Sequence, residues 1–398
     1  MEVPDPRRSL MDQPRKETIQ TGPQNAMYSL HGTSHNLQKH LSKKSSRKIF
    51  YNLFISMSTS KSITGITTDD QTNATQRRAA GEFVRGVSTA RNWIDKASSL
   101  YPPASGRYHL IVAYNCPWCH RVLLGRSLLG LQDAISVDVL FPNRSNADEP
   151  LGENLWKFCP NGAIVTNGNF VQFPECTADT VMGGKTYVKE IYQACGIDDQ
   201  KSVPILFDKQ TKTIVNNESS EILRMMETAM MEFSTTKLSL YPESLRDDIG
   251  KMNDYVYTEI ANGSYKAGFS SSQKKYEEAY TKFFAALDYL NDKVLSQSKF
   301  LVSNDTVTEA DVRLFPPLFR FDPVYYSRMK LNKKHMWEYP HIWRWMSDMM
   351  ALEGMEQVAN ASYLLHCKQG YFGRTGNGTV PIGPDAYPEC YKEPSWRP

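Results

Sequence analysis

Cys116 and Cys119 stand three residues apart in the heptapeptide Asn115-Cys116-Pro117-Trp118-Cys119-His120-Arg121. Two thiols at that spacing suit redox exchange, nucleophilic attack, simple packing or half of a metal site. A zinc centre needs a second Cys or His pair, and Cys159, Cys176, Cys195, Cys367 and Cys390 form none at suitable spacing. The apolar run Tyr108–Tyr114 before the motif reads as a buried strand, and Val122, Leu123, Leu124, Leu128 and Leu129 after it recur at helical spacing. Cys116 then lies where a strand gives way to a helix, with Pro117 in the first turn, where a missing N–H costs nothing. The helix N-terminus favours an anion, so a thiol there titrates below its usual value of about 8.5. The pattern points to a nucleophile or redox centre.

The elements that must position this cysteine follow from composition and periodicity. The chain has 398 residues, enough for two domains, and a formal net charge of +3, too small to argue for nucleic acid or a membrane surface. Seven scattered cysteines do not resemble a secreted disulfide framework, so a reducing compartment and a cytoplasmic location are expected. No apolar run approaches the roughly 20 residues that span a bilayer, and a soluble protein with no membrane partner is expected.

Residues 1–76 are rich in Ser, Thr, Gln, Asn and basic residues and read as a disordered extension. Between Glu17 and Asp69 there is no acidic residue, while Lys39, Lys43, Lys44, Arg47 and Lys48 cluster ahead of Ile49-Phe50-Tyr51. That stretch resembles a transit peptide, which over residues 1–68 would direct the chain to a mitochondrion or another organelle. Acidic residues at the very start weigh against it, and Met27 and Met57 are alternative starts.

Residues 77–230 mix the two periods. Strands are expected at Tyr108–Tyr114, Ile135–Phe141, Val203–Asp208 and Thr213–Val215, and helices at Arg121–Leu129, Gly184–Ala194 and Ser219–Glu227. This is the order of a thioredoxin-like α/β domain, interrupted by an inserted loop at 142–183. Residues 231–398 are helical in period. Leu245 to Ile260 suits one helix and Tyr276 to Val294 another; a third opens at Thr308 with Asp311 three residues on. A fourth holds Trp337, Ile342, Trp343 and Met346. The Gly- and Pro-rich tail beyond 366 reads as a loop.

A thioredoxin-like half followed by an all-helical half resembles the glutathione transferases. Several strings narrow the resemblance: Gly81-Glu82-Phe83-Val84-Arg85, Cys116-Pro117-Trp118, Val203-Pro204-Ile205-Leu206, Asn217-Glu218-Ser219-Ser220, Tyr265-Lys266-Ala267-Gly268-Phe269, Thr308-Glu309-Ala310-Asp311, Arg320-Phe321-Asp322 and Val380-Pro381-Ile382-Gly383-Pro384. They are similar to the glutathionyl-hydroquinone reductases, the Xi-class or omega-like branch, over residues 80–385.

That resemblance implies a homodimeric enzyme with glutathione as co-substrate and no metal. Cys116 would be the nucleophile, forming a mixed disulfide with glutathione, and Tyr265 would meet the hydroquinone oxygen. Trp156, Lys201, the Val203-Pro204 pair with a cis bond, and Glu218-Ser219 would bind glutathione, with Ser219 also read as a helix N-cap. Trp156 alternatively packs on its own domain as an exposed loop residue. Lys201 stands where the family usually has arginine. Tyr363 or Tyr371 would supply the family's second tyrosine. Cys119 departs from the usual alanine; it is either a resolving thiol or buried filler. A glutaredoxin-like thiol transferase or dehydroascorbate reductase using both cysteines is the alternative enzyme, and a non-catalytic scaffold is the alternative class.

Overall fold

The strand that leads to Cys116 is short and buried along its whole length. In the computed structural model, which describes residues 68–166, 169–374 and 378–383, β1 (Tyr108–Val112) pairs in parallel with β2 (Ile135–Val139) and antiparallel with β5 (Ile205–Asp208); β6 (Thr213–Asn216) completes the order β2-β1-β5-β6. Continuous apolar strands of this kind are covered on both faces. β1 stops two residues earlier than expected because the Ala113 carbonyl turns to accept the Cys116 N–H at 3.0 Å. The helix α2 (Pro117–Leu128) follows at once, then α3 (Val188–Ala194) and, after β6, α4 (Ser219–Thr228). α2 packs against α4, where Gly125 lets Leu223 approach.

All described residues belong to one compact unit, 66–398. Most of the extension, and so the targeting expectation for residues 1–68, lies outside the described residues, as do Cys390 and the end of the tail. The expectation that order begins only at 77 is corrected by a helix, α1 (Thr68–Ala79), whose last turn carries Arg77 and Arg78 against the carbonyl end of the dipole. After it, residues 81–92 form a strap. At one end the Gly81 carbonyl accepts the Ser271 N–H at 3.0 Å; at the other Asn92 N–H donates to Val215 and Asn217 N–H to Ala90, which covers the β6 edge.

Within 142–183 the chain is more than a loop. β3 (Gly162–Thr166) and β4 (Asn169–Phe173) form a hairpin whose base packs Phe141, Phe173 and Cys176 into a small core of their own. The helix expected from Gly184 starts only at Val188, since Gly183 and Gly184 have φ of +82° and +88° and Glu190 caps the Tyr187 N–H at 2.7 Å.

The helical part runs through α5 (Arg246–Tyr255), a π-turn at Val256–Ala261, α6 (Asn262–Gly268), α7 (Gln273–Tyr289), α8 (Glu309–Phe319), α9 (Pro340–Met350) and α10 (Ala361–Phe372). The single helix expected from Leu245 to Ile260 is therefore broken by the wider turn, a distortion often found beside functional sites. Asp311 accepts the Thr308 N–H at 2.9 Å, closing the α8 start as the spacing implied, and also takes Leu301 N–H and the Trp345 indole at 2.9 Å. Trp337 falls outside α9, in a separate 3₁₀ turn that ends before Pro340 takes the first helical position. The expected loop beyond 366 is corrected by α10, which continues to Phe372 and places apolar and aromatic residues against the sheet domain.

Candidate active site

Cys116 is the N-cap of α2, with extended φ and ψ of −87° and 120° and Pro117 at the first helical position. Sγ lies 3.7 Å from the Val203 carbonyl, beside a Val203–Pro204 bond that is cis. Burial pushes the Cys116 thiol up. The Cys119 thiol, the Cys119 and Trp118 backbone N–H groups and the Arg320 charge outweigh it and bring the thiol down to about 6. Cys119 has the opposite fate: fully buried one turn along the helix, it is held well above its usual value by burial and by Cys116. The pair is thus a thiolate and the thiol that stabilises it.

Beneath them lies a charge that the sequence reading named only within the Arg320-Phe321-Asp322 string, without a role. Arg320 is fully buried, donating to Pro316 O at 2.7 Å, Tyr114 O at 3.4 Å and His120 Nδ1 at 3.2 Å. A guanidinium can only donate, so His120 accepts at Nδ1 and is neutral, as its burial and the Arg320 charge require.

Cys116 opens onto a cleft of about 740 Å³, within the range of about 300–1,000 Å³ usual for ligand sites. Cys116, Tyr265, Trp156, Lys201, Val203, Pro204, Glu218 and Ser219 all line it; Cys119 does not. Glu218, not Ser219, is the N-cap of α4. Its carboxylate accepts the Ser220 N–H at 3.2 Å, while Ser219 Oγ accepts from the buried Arg121 at 3.3 Å. Burial lowers the Arg121 guanidinium to about 9. Trp156 is buried, against the exposed-loop alternative, because its carbonyl holds the Val188 N–H at 3.0 Å and Arg144 lies over its ring at 4.1 Å. Lys201 is exposed at the cleft rim and makes no ion pair among the described residues.

Across from this polar wall stand aromatic rings. Trp118 lies 5.9 Å from Tyr257 and 6.3 Å from Tyr265, and Tyr265 is 5.4 Å from Phe269. The Tyr265 and Tyr371 hydroxyls are hydrogen-bonded at 2.7 Å, and burial raises both phenols. Of the two candidates for the second tyrosine, Tyr371 reaches the cleft. Tyr363 is buried, stacked on Tyr114 at 4.0 Å. The sequence reading missed Tyr257, Arg144 and Arg328 on the wall, and gave no role to Phe269 or Arg85. The Gly81–Arg85 string was the one available signal for the last.

Comparison with known proteins agrees with this arrangement. Residues 115–229 match the glutathione S-transferase N-terminal domain and 273–348 the C-terminal domain. The chain is 35% identical to the glutathionyl-hydroquinone reductase PcpF of Sphingobium chlorophenolicum, over 77% of this chain and 91% of that protein. It is 34% identical to the reductase YqjG of Escherichia coli, over 77% and 90%. Among solved structures, the Xi glutathione transferase of Phanerochaete chrysosporium covers 77% of this chain and 94% of its own, at 38% identity and a TM-score of 0.67. A Saccharomyces cerevisiae Xi enzyme in complex with glutathione covers 77% and 98%, at 29% and 0.68. With a thioredoxin-like sheet, a cysteine at its first helix and a helical half closing the cleft, the chain belongs to the glutathionyl-hydroquinone reductases, the Xi class of the glutathione transferases.

Proposed function

We propose that this protein reduces glutathionyl-hydroquinones to hydroquinones at the expense of glutathione. One observation carries the reading: a low-pKa Cys116 sits between a polar wall suited to glutathione and a tyrosine hydroxyl pair suited to a quinol oxygen. Glu218 would pair with the γ-glutamyl ammonium, while Ser219 and the α4 amides would hold its carboxylate. Lys201 would meet the glycyl carboxylate as a point charge, and Val203 would pair with the cysteinyl backbone. Trp156 would pack against the tripeptide.

In the keto tautomer of the substrate, the glutathione sulfur sits on a ring carbon next to a carbonyl. The Cys116 thiolate attacks that sulfur, an S–S bond forms and the S–C bond breaks. The electron pair moves through the ring to the carbonyl oxygen, which leaves as a phenolate and takes a proton. A second glutathione thiolate then attacks the mixed disulfide, releasing oxidised glutathione and restoring Cys116. Overall one glutathione thiol and the substrate's thioether sulfur are oxidised to the disulfide, and the ring is reduced by two electrons.

The dithiol alternative would have Cys119 attack the mixed disulfide, and its burial and raised pKa favour the donor role instead. A homodimer, a cytoplasmic location unless residues 1–68 act as a transit peptide, and a boundary near 230 belong to the same reading. Light scattering and imaging of a fluorescent fusion test the first two. The decisive experiment incubates the protein with glutathionyl-menadiol and glutathione. Menadiol and oxidised glutathione should appear together, and Cys116→Ser should abolish both; full turnover by that variant would refute the assignment.

A further inference from the structure

Three arginines lie on or beside the strap that crosses the cleft, and they are used differently. Arg77 pairs with Glu82 and Arg91 with Glu221, each through two guanidinium nitrogens. Arg85, between them, makes no ion pair among the described residues. Its guanidinium carbon lies 4.4 Å over the Trp118 ring and 4.6 Å over the Tyr265 ring, and Nε donates to Asn262 Oδ1 at 3.1 Å. Its Nη2 is buried and has no hydrogen-bond partner among the described residues, which leaves a charge on the aromatic wall with no counter-ion among them. Such an arrangement costs solvation energy, and one of the two rings the guanidinium covers is that of Tyr265, whose hydroxyl is paired with Tyr371.

The reaction moves one negative charge from the Cys116 sulfur to the quinol oxygen. Arg320 faces the starting position from below, and Arg85 faces the finishing position from the strap. We propose that Arg85 is a positioning residue for hydroquinone release, holding positive potential at the Tyr265 hydroxyl so that the quinol oxygen can leave as a phenolate. This rests on the hydroquinone-reductase reading. The bond changes are those given above; Arg85 gains and loses no proton.

The test separates the two half-reactions. Release is followed by single-turnover formation of menadiol and of the Cys116–glutathione adduct from glutathionyl-menadiol without free glutathione. Exchange is followed by reduction of the preformed adduct with glutathione. Arg85→Met should slow release about 10- to 100-fold, less than the about 100- to 1,000-fold of a direct oxyanion donor, and exchange by no more than about threefold. Arg85→Lys should recover most of the release rate. Across glutathionylated hydroquinones of rising phenol acidity, the loss in Arg85→Met should shrink, because a better leaving phenolate needs less stabilisation. Circular dichroism and alkylation of Cys116 report folding of each variant. Equal slowing of both half-reactions, or a loss independent of phenol acidity, would overturn the proposal while leaving the reductase reading intact. A wild-type protein that exchanges disulfides yet releases no menadiol would overturn both.

Discussion

Cys119→Ala removes the side-chain donor that faces the Cys116 thiolate while leaving the backbone N–H groups of the helix start and the Arg320 charge in place. A hydrogen bond to a charged group is worth about 1.5–3 kcal/mol, and one pKa unit is about 1.4 kcal/mol, so Cys116 should rise by about one to two units. From about 6 it reaches roughly 7–8 in the variant. The sign follows from the anion: its donor is lost, so the neutral thiol persists to higher pH. At pH 7 the thiolate fraction falls from about nine-tenths to between about one-tenth and one-half. Each thiolate, however, becomes more nucleophilic by about three- to eightfold, given a Brønsted slope of about 0.4–0.5. Alkylation by iodoacetamide should therefore change by no more than about twofold near neutrality. Its pH midpoint moves up one to two units, and the alkaline plateau rises about three- to eightfold. Cys119→Ser, which keeps a donor, should titrate near wild type. An alanine variant with the wild-type midpoint, or a serine variant that follows the alanine one, would refute the hydrogen-bond account.

Other perturbations reach different parts of the molecule. Glu227 is buried, accepts from Ser239 Oγ at 3.0 Å and Tyr241 N–H at 2.9 Å, and is pushed up by burial to about 7. A raised folded-state pKa gives stability that is present below the unfolded value and lost as pH rises through the folded one. Glu227→Gln should therefore be more stable than wild type at pH 8, by up to about 3 kcal/mol, and level with it at pH 4. Thermal melts across that window check it, and parallel curves would count against it. A Cβ on Gly370 would run into the Asn115 side chain, with Asn115 Cβ at 2.8 Å. Gly370→Ala should cost about 1–3 kcal/mol and slow Cys116 alkylation, because Asn115 precedes the nucleophile; urea melts with unchanged stability would refute the contact. Lys201→Arg offers a planar fork in place of a point charge and should lower the KM for glutathione about 3- to 10-fold at similar kcat; an unchanged KM would remove Lys201 from the glycyl carboxylate.

Local patterns carried the main sheet and the turn at Cys116, while the family resemblance carried most of the cleft residues. β-branched runs mark strands, and Pro117 marks the turn into α2, because those signals depend on neighbours in the chain. What escaped depends on partners hundreds of residues away. The place of Arg320 under the turn, and the choice of Tyr371 over Tyr363, follow only from how the segments after α8 and in α10 meet Tyr114. Gly370 and Gly373 made the segment beyond 366 read as a loop and hid α10. Gly370 reads as a helix breaker until one sees that a side chain there would strike Asn115. The π-turn at Val256–Ala261 left no periodic trace, since its extra residue per turn looks like an ordinary lapse in an apolar stripe. Arg85 was legible as part of a string but not as a charge without a partner.

The last described helix sets when the protein can react. α10 stacks Tyr363 on Tyr114, brings Cys367 Sγ within 3.7 Å of the Tyr114 carbonyl, seats Gly370 on Asn115 and supplies the hydroxyl of Tyr371. A chain cut before Ala361 would keep the sheet and Cys116 but lose the floor under the turn that shapes it. During synthesis the cysteine emerges some 250 residues ahead of that floor. The Tyr265–Tyr371 hydroxyl pair is thus completed last, so that an unfinished chain can carry the thiol and its polar wall while only the finished one carries the hydroxyls that face a quinol.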